Sequence, residues 1–193
     1  VQELYTVTEI AERICRADGL RMSDHAQMYS FVKNCLRRNL LQGGRVIDAR
    51  GTWAFPPLEI YRARILSTFA RFAMDIAAYE SDLERALVNS RPDFREGEWP
   101  ERTKVAGGNT WRGLRDIVEG VAEGEPWVMR GRLYRSGYTT AAGVRIGFRW
   151  LDECDHDDAE TERQNDKTFG TGKAQGEFVF DLNELFANLP PLS

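Results

Sequence analysis

The feature that most constrains this chain is a helix start written into its first ten residues, Tyr5-Thr6-Val7-Thr8-Glu9-Ile10. A threonine followed three residues later by glutamate forms a reciprocal cap. The threonine hydroxyl accepts the glutamate amide, and the glutamate carboxylate accepts the threonine amide. Tyr5, just outside the cap, is placed to staple onto Ile10. A second helix is predicted to open near Ser23 or Asp24 and to end at Asn39-Leu40-Leu41-Gln42-Gly43-Gly44. Arg45 to Phe55 then gives two short apolar runs around a polar turn, followed by Pro56-Pro57 and a long amphipathic segment. The predicted order is helix, turn, helix, hairpin, helix.

This order resembles the MerR-type winged helix-turn-helix regulators. In that family an aromatic residue closes the wing and a capped helix follows; from Phe55 the chain offers Glu59, Ile60, Ala63, Ile65, Leu66, Phe69 and Phe72 at matching intervals. Met74-Asp75-Ile76-Ala77-Ala78-Tyr79 fits the next feature, and Tyr5 to Ala11 and Arg37-Arg38-Asn39-Leu40-Leu41 fit as well. The resemblance covers residues 1 to about 90. Three positions depart from it. The connection from Arg16 to Met22 is longer than the family's tight turn, Trp53 stands where the family usually has a wing arginine, and Asn34 and Cys35 follow Lys33 where an aromatic is usual.

The resemblance implies a head that binds double-stranded DNA, and dimerisation through helices that follow it. On the second helix Met28, Val32, Cys35, Leu36 and Leu40 recur at helical spacing and are expected in the core. His25, Gln27, Ser30, Lys33, Asn34 and Arg37 are left outside. A helix fits the major groove, where Asn and Gln pair with adenine and Lys or Arg with guanine. Gln27, Ser30, Lys33, Asn34 and Arg37 are therefore the candidate base readers, with His25 either a reader or a plain surface residue. Arg38, Arg45, Arg50, Arg62 and Arg64 are expected at phosphates, which set orientation more than sequence.

Charge supports a basic head within an acidic chain. The total is −4, yet residues 20–72 hold nine Lys/Arg against three Asp/Glu, a balance of +6 that leaves −10 for the remainder. Phosphate neutralisation needs a local positive surface and not a positive whole. A solvated helical surface is the other reading of the same residues. No apolar run is long enough for a membrane span, Val1-Gln2-Glu3-Leu4 lacks the pattern of a secretory signal, and Cys15, Cys35 and Cys154 form no paired motif. A cytoplasmic protein with reduced thiols is expected.

Past residue 74 the pattern changes. Asp75 to Val88 is amphipathic, with Ile76, Tyr79, Leu83, Ala86 and Leu87 on one side. Residues 91–100 are turn-rich and read as a linker between a head, 1–90, and a C-terminal domain, 101–193. In that domain Asn109 or Thr110 caps a short helix bearing Trp111, Leu114, Ile117 and Val118. Two alternating runs, Trp127 to Tyr134 and Val144 to Trp150, predict an antiparallel hairpin about Ser136-Gly137. One face is apolar; the other carries Arg130, Arg132, Arg145 and Arg149. That face suits an anionic ligand, DNA backbone or a partner, although pairing with local carboxylates is the more ordinary use. Residues 152–176 read as a polar loop, Glu177 to Phe180 as a returning strand, and Asp181 with Glu184 as the cap of a closing helix. The fold expected is α+β.

No P-loop, dinucleotide glycine motif, nucleophile elbow or HExxH occurs, and the two histidines, His25 and His156, are far apart. Cys154, Asp155, His156, Asp157 and Asp158 include metal-ligand types, but adjacent residues do not all point at one ion. Neither catalysis, a metal nor a cofactor is expected. The leading expectation is a dimeric, sequence-specific transcription regulator, of bacterial or phage type, whose C-terminal domain supplies dimerisation or binds a small-molecule or protein effector. The alternatives are an excisionase-like architectural protein on the same head, and a protein-interaction adaptor.

Overall fold

The computed structural model describes residues 3–72, 113–135, 142–150 and 176–192, with a few positions between 74 and 87. The chain is mixed α and β, with two small antiparallel sheets. It divides into two compact units, Val1–Ala78 with Leu185–Ser193, and Tyr79–Glu184. This differs from the expected division at the linker 91–100, which lies outside the described residues. The first unit ends earlier, and the last nine residues return to it.

In the first unit β1 (Tyr5–Thr6) runs into α1 (Val7–Ala17). The cap forms as the sequence predicts: the Glu9 carboxylate accepts the Thr6 amide at 2.7 Å, and the Glu9 amide donates to the Thr6 hydroxyl at 3.3 Å. The helix buries Ile10, Ala11, Ile14 and Cys15. It stops in a left-handed turn at Gly19, with the Leu20 amide donating to Cys15 and the Gly19 amide to Arg16. The second helix, α2 (Met22–Arg37), begins a residue earlier than Ser23, because the Asp24 carboxylate accepts the Arg21 amide at 3.2 Å. The connection is therefore only four residues, 18–21, and not the long turn expected. α2 ends in the same manner with Asn39 at φ 58, as its amide donates to Leu36 and that of Leu40 to Cys35.

The hairpin follows as β2 (Arg45–Val46) and β3 (Trp53–Phe55). β1 was not foreseen as a strand, yet it pairs with β3, giving the order β1-β3-β2. Phe55 is anchored where its ring lies over Gly44; any side chain at position 44 would run into it. The next helix, α3 (Leu58–Arg71), is buried over most of its circumference from Glu59 to Phe69, with Arg64 half-buried. A helix enclosed on all sides is the spine of its unit. The returning tail covers it: the Tyr61 hydroxyl donates to the Pro190 carbonyl, Arg64 Nε donates to the Leu185 carbonyl at 3.3 Å, and the Phe186 ring meets Tyr61 edge-on at 4.9 Å.

In the second unit α4 (Leu114–Ala122) buries Leu114, Ile117 and Val118. Its predicted caps, Asn109 and Thr110, and Trp111 lie outside the described residues. β4 (Trp127–Arg135) is the central strand between β5 (Ala142–Trp150) and β6 (Gly176–Asp181). The two runs pair antiparallel as expected, in a register that sets Trp127 opposite Trp150 and Leu133 opposite Val144. Trp127 and Met129 are fully buried on the apolar side, where the Phe178 ring lies over Gly131. The Ser136-Gly137 turn and the loop with Cys154 and His156 lie outside the described residues. The short α5 (Leu182–Phe186) starts where the Asp181 carboxylate accepts the Asn183 and Glu184 amides. Among the described residues no helix is long and apolar enough to cross a membrane.

Candidate nucleic-acid interface

The exposed side of α2 is set by its buried one. Met28, Val32 and Cys35 are in the core, and at 100° per residue this leaves an outward arc through Tyr29, Lys33, Arg37, Ser30 and Asn34 to Gln27. Gln27, Ser30, Lys33, Asn34 and Arg37 are all exposed, so the five candidate readers share one surface. Lys33 lies over the Tyr29 ring at 5.7 Å, which orients the ammonium along the helix. Gln27, at the edge of the arc, also lines a groove of about 280 Å³ with Asp24, Phe31 and Arg71 between α2 and α3. His25 is half-buried and lies off the arc.

Arg38, Arg45 and Arg50 are exposed at the end of α2 and on the hairpin, as phosphate contacts require. Arg62 and Arg64 are not so placed, and both are withdrawn from the phosphate set. Arg62 is 4% exposed and lies 3.1 Å from the equally buried Glu59 carboxylate, which also accepts the Gln42 amide at 2.9 Å. Burial pushes the Glu59 carboxyl above its ordinary range, with Arg62 and the Gln42 amide pulling the other way. Arg64 donates to Asp18 at 2.6 Å, and Arg71 reaches the same carboxylate. These arginines join α3 to the turn after α1. Asp18 was the unforeseen member, and its signal was slight: an acid beside the helix-stopping Gly19.

The hairpin tip is tied by hydrogen bonds to one side chain. Asp48 accepts the amides of Arg50 and Thr52 at 3.0 and 2.9 Å and the Thr52 hydroxyl at 2.7 Å. These bonds, the Thr52 amide first, hold its carboxyl below the usual range. Beside the tip, Val46, Ile47 and Trp53 are 50%, 49% and 41% exposed, an apolar surface that sequence patterning did not reveal.

On the second sheet the backbone register sets Arg130 opposite Gly147, Arg132 opposite Arg145 and Val128 opposite Arg149. β6 adds Glu177 opposite Arg132, and Arg130 Nη2 donates to the Glu177 carboxylate at 2.9 Å. Arg130 thus has the ordinary use, pairing with a local carboxylate. Among the described residues no group of three or more His, Cys, Asp or Glu is arranged to hold a metal ion. Compared with protein families, curated proteins and solved structures, the chain matches none.

Proposed function

We propose that the first unit is a winged helix-turn-helix head that binds double-stranded DNA, with α2 in the major groove and the β2–β3 hairpin as its wing. The observation that carries this reading is the placement of Gln27, Ser30, Lys33, Asn34 and Arg37 on one exposed arc of a helix that follows a four-residue turn. Charge agrees: residues 26–58 hold Lys33, Arg37, Arg38, Arg45 and Arg50 against Asp48 alone. The particular protein proposed is a MerR-like, sequence-specific transcription regulator that works as a homodimer, with Tyr79–Glu184 as its effector or partner unit. A second reading, an architectural protein that bends DNA, is favoured by the exposed Val46, Ile47 and Trp53 on the wing.

The test is fluorescence anisotropy of the full chain with a randomised duplex library across a salt series, with bound sequences recovered. An enriched palindromic motif and affinity falling steeply with salt are expected. Lys33→Ala with Arg37→Ala should cost tenfold or more; unchanged affinity would sink the assignment of α2 as the reading helix. Transcription from a promoter carrying the motif separates the regulator from the bender.

A further inference from the structure

We propose that the wing is an apolar wedge which enters the minor groove of a duplex and opens a base step, with Trp53 inserting and Val46 beside it. The inference rests on the DNA reading above and deepens it. Val46 and Trp53 are register partners, so their side chains emerge together on one face of the hairpin. Val46 is 50% and Trp53 41% exposed, so each is about half open to solvent. Proteins that kink DNA from the minor groove insert such side chains between base pairs.

A wedge must be stiff, and this one is braced at both ends. The Trp53 indole stacks on Phe55 at 6.3 Å with 22° between planes, and Phe55 is itself 1% exposed and seated on the Gly44 backbone. At the other end Asp48 closes the turn with three hydrogen bonds, and the Ile47 amide donates to the Thr52 carbonyl at 2.9 Å. The Asp48 carboxylate is thus directed into its own turn.

Charge decides the occupant. Arg45 and Arg50 flank the apolar side chains and Arg37 and Arg38 precede them, all exposed. A second copy meeting this face across a two-fold axis would set arginine against arginine, a like-charge juxtaposition that disfavours pairing. Two half-exposed side chains also fall far short of the roughly 800 Å² per partner of a stable interface. A polyanion with a stacked apolar interior fits both properties.

The experiment uses the full chain and a duplex of about 30 base pairs, labelled at both ends for energy transfer and carrying 2-aminopurine at its TA steps. Wild type should raise the 2-aminopurine emission severalfold and shorten the end-to-end distance. Val46→Ser with Trp53→Ser should abolish both changes, lower affinity about tenfold, the order of one base–aromatic stack, and leave the salt slope unaltered. Binding by wild type without unstacking, or unstacking that persists in the double variant, overturns the wedge and leaves the DNA reading standing. No binding by wild type overturns both. A concentration-dependent dimer that the double variant abolishes would also overturn the wedge, in favour of a second copy. Circular dichroism checks the variant's fold, and if it does not fold, Trp53→Ser alone, which removes the inserting side chain, gives the same readout.

Discussion

At the scale of single residues, the buried charges carry more structure than the exposed ones. Asp18 accepts both Arg64 and Arg71, and its side chain is 4% exposed. Asp18→Ala strands the half-buried Arg64 guanidinium without its carboxylate, and an uncompensated buried charge costs about 3 kcal/mol. Urea unfolding followed by circular dichroism should show that loss, whereas Arg71→Ala, whose side chain is 42% exposed, should cost under about 1 kcal/mol. Cys35 titrates in the alkaline range. Burial pushes its thiol up to about 12, so the folded chain keeps a proton that an unfolded thiol releases above about 8.5. The stability it contributes is fully present below that pH and is lost as pH rises towards 12. Melting temperatures between pH 8.5 and 10 should fall for wild type, and Cys35→Ala should flatten that slope; an equal slope in both proteins would assign the effect elsewhere.

At the scale of elements, what was legible was local. The Thr6–Glu9 cap, the Asn39 stop, the Asp48 turn and the Asp181 cap each lie within a few residues of what they bond, so sequence spacing predicts them. The antiparallel pairing of β4 with β5 was legible for the same reason, and so was part of the apolar side of α2: Met28, Val32 and Cys35 are buried, whereas Leu36 and Leu40, also expected in the core, are only partly so. The pairing of Tyr5 with Phe55 was not, because two residues carry no strand pattern. Nor were the buried roles of Arg62 and Arg64: an arginine on a helix reads as a surface charge until α3 is found enclosed. The tail is the clearest non-local case. Phe186 is 5% exposed and lies against Tyr61, 125 positions earlier by residue number. Phe186→Ala should destabilise the first unit by about 3 kcal/mol, the cost of removing a buried aromatic, and truncation after Glu184 should cost more. Hydrogen exchange along α3 is the measurement, since faster exchange there distinguishes loss of the tail from damage in the second unit. A head cut at residue 90 without Leu185–Ser193 would lack this cover.

At the scale of the whole molecule, the chain leaves its first unit after Ala78 and re-enters it at Leu185, so two crossings of the backbone join the units. Net charge is a property of this whole, and at −4 it gives no general attraction to a polyanion. On the proposed DNA reading, affinity comes from cations exposed on the first unit. Seven basic residues were candidates across the reading helix, hairpin and α3: Lys33, Arg37, Arg38, Arg45, Arg50, Arg62 and Arg64. The fold uses Arg62 and Arg64 internally and exposes the other five. Lys33 and Arg37 are assigned to bases, which leaves Arg38, Arg45 and Arg50 at phosphates. Each neutralised phosphate contributes about −0.9 to the slope of log K against log salt, so one head per site should give a slope of about −2.7 and a dimer about −5.4. Had Arg62 and Arg64 also faced phosphates, the single-head slope would be about −4.5. Replacing Arg45 and Arg50 by glutamine should bring the single-head slope to about −0.9, while Arg62→Met should leave it unchanged in molecules that remain folded. A slope altered by Arg62→Met and untouched at Arg45 and Arg50 would mean that the surface meeting DNA is a different one.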